Sequence, residues 1–406
     1  MTRRLSIRMY DVGFGDCFVV TVADGPERWR MLVDCGVHSQ GRARPIEEVV
    51  AAVVDQLEQD PGTTGRARLD VVVATHRHAD HVSGFAEDAW RAVEVGEVWL
   101  PYLEDPDDPT TRDFAGRTGL AASRLLTALE LRLAAVSSKR VAAARDLAAL
   151  ALSNEPAMDR LHGRNGAQFA NRPPVRFLPA ADPAANVLDP APGVRVHVLG
   201  PSRDPAFLRR MNPPRSAGWL RLDDETEPVG PLGEIFAPRF RVDAADVPPG
   251  LKDPQHLGRL DNLTDEDGLL QAAFRIDRVV NNTSVFLVLE VDDVRVILPG
   301  DAQQGAWDAV RADPANRALF RDAQVYKIGH HGSHNATPRA FVEEDWEAAG
   351  YALLPWGEVA RWPTIPAAGL IDALTAGHRV LSAAEPFTDA HVPARTGPWT
   401  EVVFDL

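Results

Sequence analysis

The sequence has little cysteine and no long apolar run. Only two of its 406 residues, Cys17 and Cys35, are cysteines, which is too few for a disulfide framework and fits a reducing compartment. No stretch of about 18 apolar residues is present, and the amino-terminal residues lack the apolar core of a secretory signal. We therefore expect a cytoplasmic protein that does not span a membrane.

Positive charge is in the minority, with 43 Lys and Arg residues against 58 Asp and Glu residues and a formal net charge of -15. This balance excludes a strongly basic surface that coats nucleic acid without specificity, although it leaves room for a local basic groove. Contents of 45% hydrophobic and 25% charged residues are usual for a soluble globular protein. The length allows one large domain with insertions or two domains.

Histidine is scarce as well, with 12 in the chain, yet three histidines fall within residues 75–81 (THRHADH). Residues 69–74 are apolar and rich in β-branched side chains, which predicts a buried strand that ends at this cluster. His76 and His78 are placed to bind one metal ion, and Asp80 and His81 to bind a second. A polar loop that happens to hold three histidines is the weaker alternative.

Two further loops carry metal-binding side chains directly after predicted strands. Residues 281–290 and 294–301 predict a hairpin that ends in Asp301, whose two carboxylate oxygens offer one donor to each of two ions. A predicted strand over 323–328 leads into Gly-His-His-Gly. Because neighbouring side chains of an extended segment point apart, we expect one ligand from this pair and prefer His330 to His331.

These parts, in this order, resemble the signature of the metallo-β-lactamase superfamily of metallohydrolases, in which H-x-H-x-D-H follows a strand. Together with the NNTSVFLVL, LPGD and KIGHHGS segments, they look like the metallo-β-lactamase domain of ComEC-type DNA-uptake proteins. The resemblance covers residues 5–104, 194–201 and 279–385. It implies an α/β fold, an αββα sandwich of two mixed sheets packed face to face with helices outside.

The resemblance also implies two divalent metal ions, Zn²⁺ or Mn²⁺, with six ligands: His76, His78, Asp80, His81, Asp301 and His330. It implies that Asp34, at the end of a predicted strand, accepts a hydrogen bond from the second nitrogen of a metal-bound histidine. Asp80 would in addition orient the attacking hydroxide. His331 or His334 would protonate the leaving oxygen or hold the phosphate, beside Ser333 of the same motif.

The sequence departs from the superfamily pattern at one ligand position. Many members carry a histidine upstream of the bridging aspartate, where this chain has Asn281 and Asn282. Asn282 would then be a weak ligand or leave its place to water, and oxygen ligation favours Mn²⁺ over Zn²⁺. His197 is an alternative ligand, although a histidine on a strand face is the plainer explanation.

The predicted organisation has four segments. Residues 1–104 and 279–406 form the two halves of the sandwich. Residues 105–193 form a mainly helical insertion with a long helix or helical hairpin over 119–152, and residues 194–278 form a strand followed by an irregular insertion.

Three functions are compatible with these predictions. The first hypothesis is a phosphodiesterase that acts on nucleic acid, that is, a nuclease. The second is a hydrolase of a small ester, lactone or phosphodiester, for which the insertion forms a lid. The third is a metal-bearing but catalytically weak module that binds a protein partner in a multi-component system.

Overall fold

The computed structural model describes residues 3–38, 41–108, 111, 129, 145, 154–208, 210, 212–214, 218–219, 280–360, 362–385 and 387–406. All but two positions of the helix predicted over 119–152, and most of the irregular insertion predicted over 202–268, lie outside these residues. The division of the chain into four segments therefore stays a prediction.

The described residues form fourteen strands. In chain order they are β1 (Arg4–Tyr10), β2 (Cys17–Asp24), β3 (Glu27–Cys35), β4 (Arg68–Val73), β5 (Glu94–Pro101), β6 (Val175–Leu178), β7 (Val187–Ala191), β8 (Val194–Gly200), β9 (Phe286–Val291), β10 (Val294–Leu298), β11 (Val325–Lys327), β12 (Tyr351–Leu354), β13 (Arg379–Ser382) and β14 (Trp399–Asp405).

Seven α-helices lie within the described ranges. They are α1 (Ile46–Gln59), α2 (Ala79–Val82), α3 (Glu155–His162), α4 (Pro205–Leu208), α5 (Gln304–Arg311), α6 (Pro314–Arg321) and α7 (Ala368–Gly377). None of them is both long enough and apolar enough to cross a bilayer.

The strands form two mixed sheets of seven strands each. The order is β14-β1-β2-β3-β4-β5-β6 in the first and β13-β12-β11-β10-β9-β8-β7 in the second. In the first sheet β14, β1, β2 and β3 pair antiparallel, and β3 to β6 pair parallel. The second sheet has the same division, with β7 to β10 antiparallel and β10 to β13 parallel.

Hydrophobic side chains of both sheets belong to one buried cluster. Its members include Ile7, Met31 and Val71 of the first sheet and Val196, Leu289 and Val296 of the second. A second cluster joins the first sheet to α1, and a third joins the second sheet to α5 and α7. Burial of apolar area of this kind is the main stabilising contribution to a fold. The arrangement is compatible with the predicted sandwich.

Apolar residues at helical spacing predict an amphipathic helix over residues 45–59, and α1, from Ile46 to Gln59, confirms it. The sequence also predicts a short helix over 85–93, which is wrong, because short 3₁₀ turns stand there instead, at Ser83–Ala86 and Asp88–Ala92. A third helix, predicted to start at Trp362, begins only at Ala368. Pro363 and Pro366 disfavour helical backbone in the residues before them, which explains the later start.

Three strands differ from the prediction: β6 and β7 were not predicted, and β14 pairs with an unexpected partner. The edge strands β6 and β7 lie within residues 105–193, which were predicted to be mainly helical, and their short, partly exposed sequences have little apolar periodicity. The last strand, β14, was assigned to the second half of the fold but pairs with β1, from Arg4–Asp405 to Tyr10–Trp399. It thereby supplies hydrogen bonds to what would otherwise be a free edge.

Candidate metal centre

The loop that carries the histidine cluster follows β4 and packs against the end of β3. The backbone N–H of Asp16 donates to the carbonyl of Asp80 at 2.9 Å, and that of Gly36 donates to the carbonyl of Asp16 at 2.9 Å. A Cβ atom on Gly36 would lie 2.4 Å from the carbonyl oxygen of Ala79 and 2.5 Å from the nitrogen of His81. Glycine is therefore required at position 36 for the loop to approach β3 this closely.

Asp34 ties this loop to the end of β3 through both carboxylate oxygens. Its Oδ1 accepts from the backbone N–H of Thr75 at 2.7 Å, and its Oδ2 accepts from the Thr75 hydroxyl at 2.7 Å. The same Oδ2 lies 2.7 Å from Nδ1 of His81. An ionised carboxylate at this place holds the proton of a neutral His81 on Nδ1, so that the lone pair of Nε2 faces away from Asp34.

Asp34→Asn is expected to weaken metal binding by about 10–100-fold, because residues that orient a ligand through a hydrogen bond contribute about that much. The amide nitrogen would face either the backbone N–H of Thr75, from which it cannot accept, or Nδ1 of His81, where it would favour the wrong tautomer. Asn suits the φ of 56° at this position, so the backbone should not change. Titration of the apoprotein with Mn²⁺ or Zn²⁺ measures the effect, and wild-type affinity with unchanged circular dichroism would contradict it.

Four buried side chains from three loops come together at one point. Asp80 and His81 follow β4, Asp301 follows β10, and His331 follows β11. One nitrogen or oxygen atom from each lies within 4.8 Å of those of the other three. His81 Nε2 is 3.0 Å from Asp301 Oδ2, and His331 Nε2 is 3.2 Å from Asp80 Oδ2. We refer to these four residues as the four-residue group.

The donors of the four-residue group suit a divalent metal ion. Nε2 of His81 and Oδ2 of Asp301 are buried, face each other at 3.0 Å and have no further hydrogen-bond partner. Nδ1 of His331 lies 2.8 Å from the carbonyl oxygen of Pro355, which places the proton of the neutral ring on Nδ1. The lone pair of Nε2 then faces the group and can bind a metal ion. Two imidazoles and two carboxylates are ligands that Zn²⁺ and Mn²⁺ accept. The group could therefore bind such an ion.

The electrostatics of the group favour a positive charge at its centre. Burial alone would raise the pKa of Asp80 and of Asp301, but the neighbouring histidines, and Lys327 at Asp301, lower both well below the ordinary value. Burial would lower the pKa of His81 and of His331, yet the surrounding carboxylates raise both. A bound divalent cation would replace these imidazole protons.

A second buried group, formed by Asp16, Asp34 and His81, could also bind an ion by the nature of its donors. It shares His81 with the first group, and Nδ1 of His81 is 3.5 Å from Asp16 Oδ2. Lys327 joins the two groups, since its Nζ lies 2.5 Å from Asp16 Oδ2 and 3.1 Å from Asp301 Oδ1.

Asp16 and Lys327 were not predicted as site residues. A lysine at the end of the short apolar strand β11, directly before the histidine pair, was the signal in the sequence. Asp16 had a weaker signal, because an aspartate after glycine is common in turns.

His76 and His78 belong to neither group, although both are buried beside the first. His76 Nε2 is 3.1 Å from His78 Nδ1, and the ring of His76 lies 4.1 Å, centroid to centroid, from that of His81. Burial and the neighbouring rings of His81 and His78 lower the pKa of His76 well below its ordinary value. A neutral His76 is the form that can ligate a metal, so its predicted role as a ligand stays a prediction.

The histidine pair after β11 adopts a left-handed turn, and the assumption of an extended segment is wrong. His330 has a φ of 46° and His331 a φ of 53°. This turn directs the imidazole of His331, and not that of the preferred His330, into the four-residue group. His330 instead donates its backbone N–H to Asp301 Oδ1 at 3.0 Å. Its ring lies 3.4 Å from Asn281 Nδ2, and burial lowers its pKa to about 4.

The remaining predicted residues have other contacts. Asn282 uses its carboxamide on the backbone: Nδ2 donates to the carbonyls of Leu208 and Arg210, and Oδ1 accepts from the N–H of Gln303. These bonds compete with the weak ligand role of Asn282, which stays a prediction. The hydroxyl of Ser333 donates to Asn335 Oδ1 at 2.9 Å.

The last two predicted histidines stand outside both groups. His334 is half-buried, and no metal-binding group within the described ranges includes it. His197 is half-buried on β8, where it alternates with Val196 and Val198 of the inter-sheet cluster and so faces the opposite side of the second sheet.

No family model matches the sequence, and a search of curated proteins finds none that is similar.

Proposed function

We propose that this protein is a metal-dependent hydrolase of the metallo-β-lactamase type that cleaves phosphodiester bonds, and that nucleic acid is its substrate. One observation carries the proposal: Asp80, His81, Asp301 and His331, distant in sequence, bring their donor atoms within 4.8 Å of one another in a buried site. A cluster of ionisable groups with strongly shifted pKa values is typical of a functional site.

A divalent ion at this centre would supply a hydroxide nucleophile near neutral pH and stabilise negative charge on the substrate. The protein's own residues hold the geometry. Asp34 fixes the ring of His81 and the carbonyl of Pro355 fixes that of His331. Asp80 would accept a hydrogen bond from the attacking oxygen. His334, on the loop after His331, is the proposed donor of a proton to the leaving oxygen.

The choice of a phosphodiester substrate is supported by the resemblance of the motifs to the ComEC-type domain. The net charge of -15 makes a long footprint on duplex DNA unfavourable, since such binding depends on phosphate contacts from Lys and Arg. A single strand or a short phosphodiester suits the chain better.

The test compares three substrate classes, each with Mn²⁺ and with Zn²⁺: DNA (plasmid and single-stranded), a chromogenic phosphodiester, and a lactone. We expect turnover of the phosphodiesters that Asp80→Ala reduces by at least about a hundredfold, because the change removes a ligand and the residue that orients the nucleophile. Asp293→Ala, at an exposed turn between β9 and β10, is the matched control and should retain full activity.

Turnover of the lactone alone would replace the proposed substrate class with a small ester. A metal-loaded protein that turns over none of the three classes would overturn the hydrolase and favour a partner-binding module.

A further inference from the structure

The two buried groups share one imidazole ring, and most of the ligand atoms of the second group are already in use, with Asp16 Oδ1 as the exception. His81 presents Nε2 to Asp301 and Nδ1 to Asp34. Both oxygens of Asp34 are taken by Thr75 and His81. An ion in the second group would have to displace these hydrogen bonds to Asp34. In the four-residue group it would replace only the contacts that the four side chains make with one another, His331 Nε2 with Asp80 Oδ2 and His81 Nε2 with Asp301 Oδ2.

Lys327 already supplies a positive charge to the second group. Its side chain is 2% exposed, and Nζ has three acceptors: Asp16 Oδ2 at 2.5 Å, the carbonyl of Gly300 at 2.9 Å and Asp301 Oδ1 at 3.1 Å. Two of these three acceptors are carboxylates, so the ammonium is held in place by opposite charge as well as by hydrogen bonds.

The residue type at position 327 fits this role. The chain has only three lysines against 40 arginines. An ammonium is a compact charge with three donors, and here it meets three acceptors; a planar guanidinium is larger and directs its donors in one plane. In a chain whose basic residues are nearly all arginines, position 327 thus carries a lysine, whose compact ammonium can take the place of a metal ion.

Asp301 has only one oxygen left for a metal. Its Oδ1 accepts from Lys327 Nζ and from the backbone N–H of His330. Its Oδ2 faces His81 Nε2 within the four-residue group. A carboxylate held in this way is placed to serve one ion through Oδ2, and the predicted bridge with one oxygen on each of two ions would require the Lys327 contact to break.

The other proposed ligands are imidazoles without a carboxylate. His76 and His78 contact each other, His330 lies beside Asn281, and Asn282 uses its carboxamide on backbone partners. A site built on neutral imidazoles and water would carry no negative charge and would be weak beside the four-residue group, which has two carboxylates.

We propose that the centre binds one divalent ion, in the group of Asp80, His81, Asp301 and His331, and that the ammonium of Lys327 occupies the cation position of the second group in place of another ion. This rests on the proposed metal-dependent function, and it specifies the composition of the same site. A fixed internal cation would also stabilise Asp16 and Asp301 as carboxylates whether or not metal is bound.

The first experiment uses the wild-type protein. After equilibration with excess Mn²⁺ and removal of free metal, elemental analysis is expected to give one ion per chain. The electron paramagnetic resonance spectrum is expected to show the hyperfine pattern of an isolated Mn²⁺ ion. Two ions per chain with the spectrum of a spin-coupled pair would overturn the inference and leave the hydrolase intact. No bound ion would overturn the proposed function itself.

The second experiment replaces the internal cation. Lys327→Met keeps the length of the side chain, removes its charge and leaves Asp16 and Asp301 without the ammonium between them, so a second Mn²⁺ per chain is expected. Adding Asp16→Asn to Lys327→Met should return the count to one, because it removes a carboxylate from the second group. If Lys327→Met binds one ion, the role assigned to Lys327 is wrong. Should the variant not fold, the wild-type count and spectrum decide the matter.

Discussion

His331→Ala is expected to lower metal affinity by at least about a hundredfold, beyond the 10–100-fold effect of residues that only orient a ligand, and to abolish turnover at ordinary metal concentrations. Nε2 of His331 lies 3.2 Å from Asp80 Oδ2 and 4.0 Å from Asp301 Oδ2, among the donors of the four-residue group. Its removal leaves three ligands and an open cavity. Isothermal titration of the apoprotein with Zn²⁺ and Mn²⁺ measures the loss.

His330→Ala is the matched control, since it changes the same residue type in the same left-handed turn. His330 holds Asp301 through its backbone N–H, which alanine retains. We expect its metal affinity to stay within about tenfold of wild type, the lower end of an indirect effect. The opposite outcome, with His330→Ala losing metal and His331→Ala keeping it, would restore the assignment made from the sequence.

Trp307→Ala is expected to reduce the free energy of unfolding by about 3–5 kcal/mol, the usual cost of deleting a large buried aromatic side chain. Trp307 is fully buried in α5, with its ring 4.8 Å from that of Phe286 and 4.7 Å from that of Phe341, centroid to centroid. Its Nε1 donates to the carbonyl of Ala336 at 2.7 Å, in the loop that follows His331. Urea unfolding monitored by circular dichroism measures the change.

Trp307→Phe separates the hydrogen bond from the packing. It retains most of the apolar contact and leaves the buried carbonyl of Ala336 without its donor, at a cost of about 1–3 kcal/mol. We expect the loop after β11 to loosen in this variant, with a measurable drop in metal affinity. A loss below about 1 kcal/mol in Trp307→Ala would contradict the central place of this cluster in the second sheet.

Patterns within a few residues of sequence predicted those parts of the site whose conformation is set by neighbouring residues. The strand before the histidine cluster and the Gly-Asp turn at Asp301 were identified because strand periodicity and turn chemistry act over a few residues. The contact of Asp34 with His81 is consistent with the orienting role inferred from the resemblance.

The choice between His330 and His331 could not be made in this way, because it depends on a left-handed turn that two histidines adopt against their intrinsic preference. The pairing of Asp16 with Lys327 was out of reach for another reason. It joins the turn before β2 to the end of β11, and no local pattern relates segments so far apart. The edge strands β6 and β7 were missed because a partly exposed strand lacks the continuous apolar run of the central strands.

The proposed ligands come in equal number from the two sheets: Asp80 and His81 follow a strand of the first, and Asp301 and His331 follow strands of the second. An ion bound there would be a cross-link between the layers, formed only when both are folded and in place. By mass action, free metal at a hundred times the dissociation constant would add about 2.7 kcal/mol to the stability of the native chain. The concentration of free metal would then set the stability of the folded protein as well as its catalytic activity.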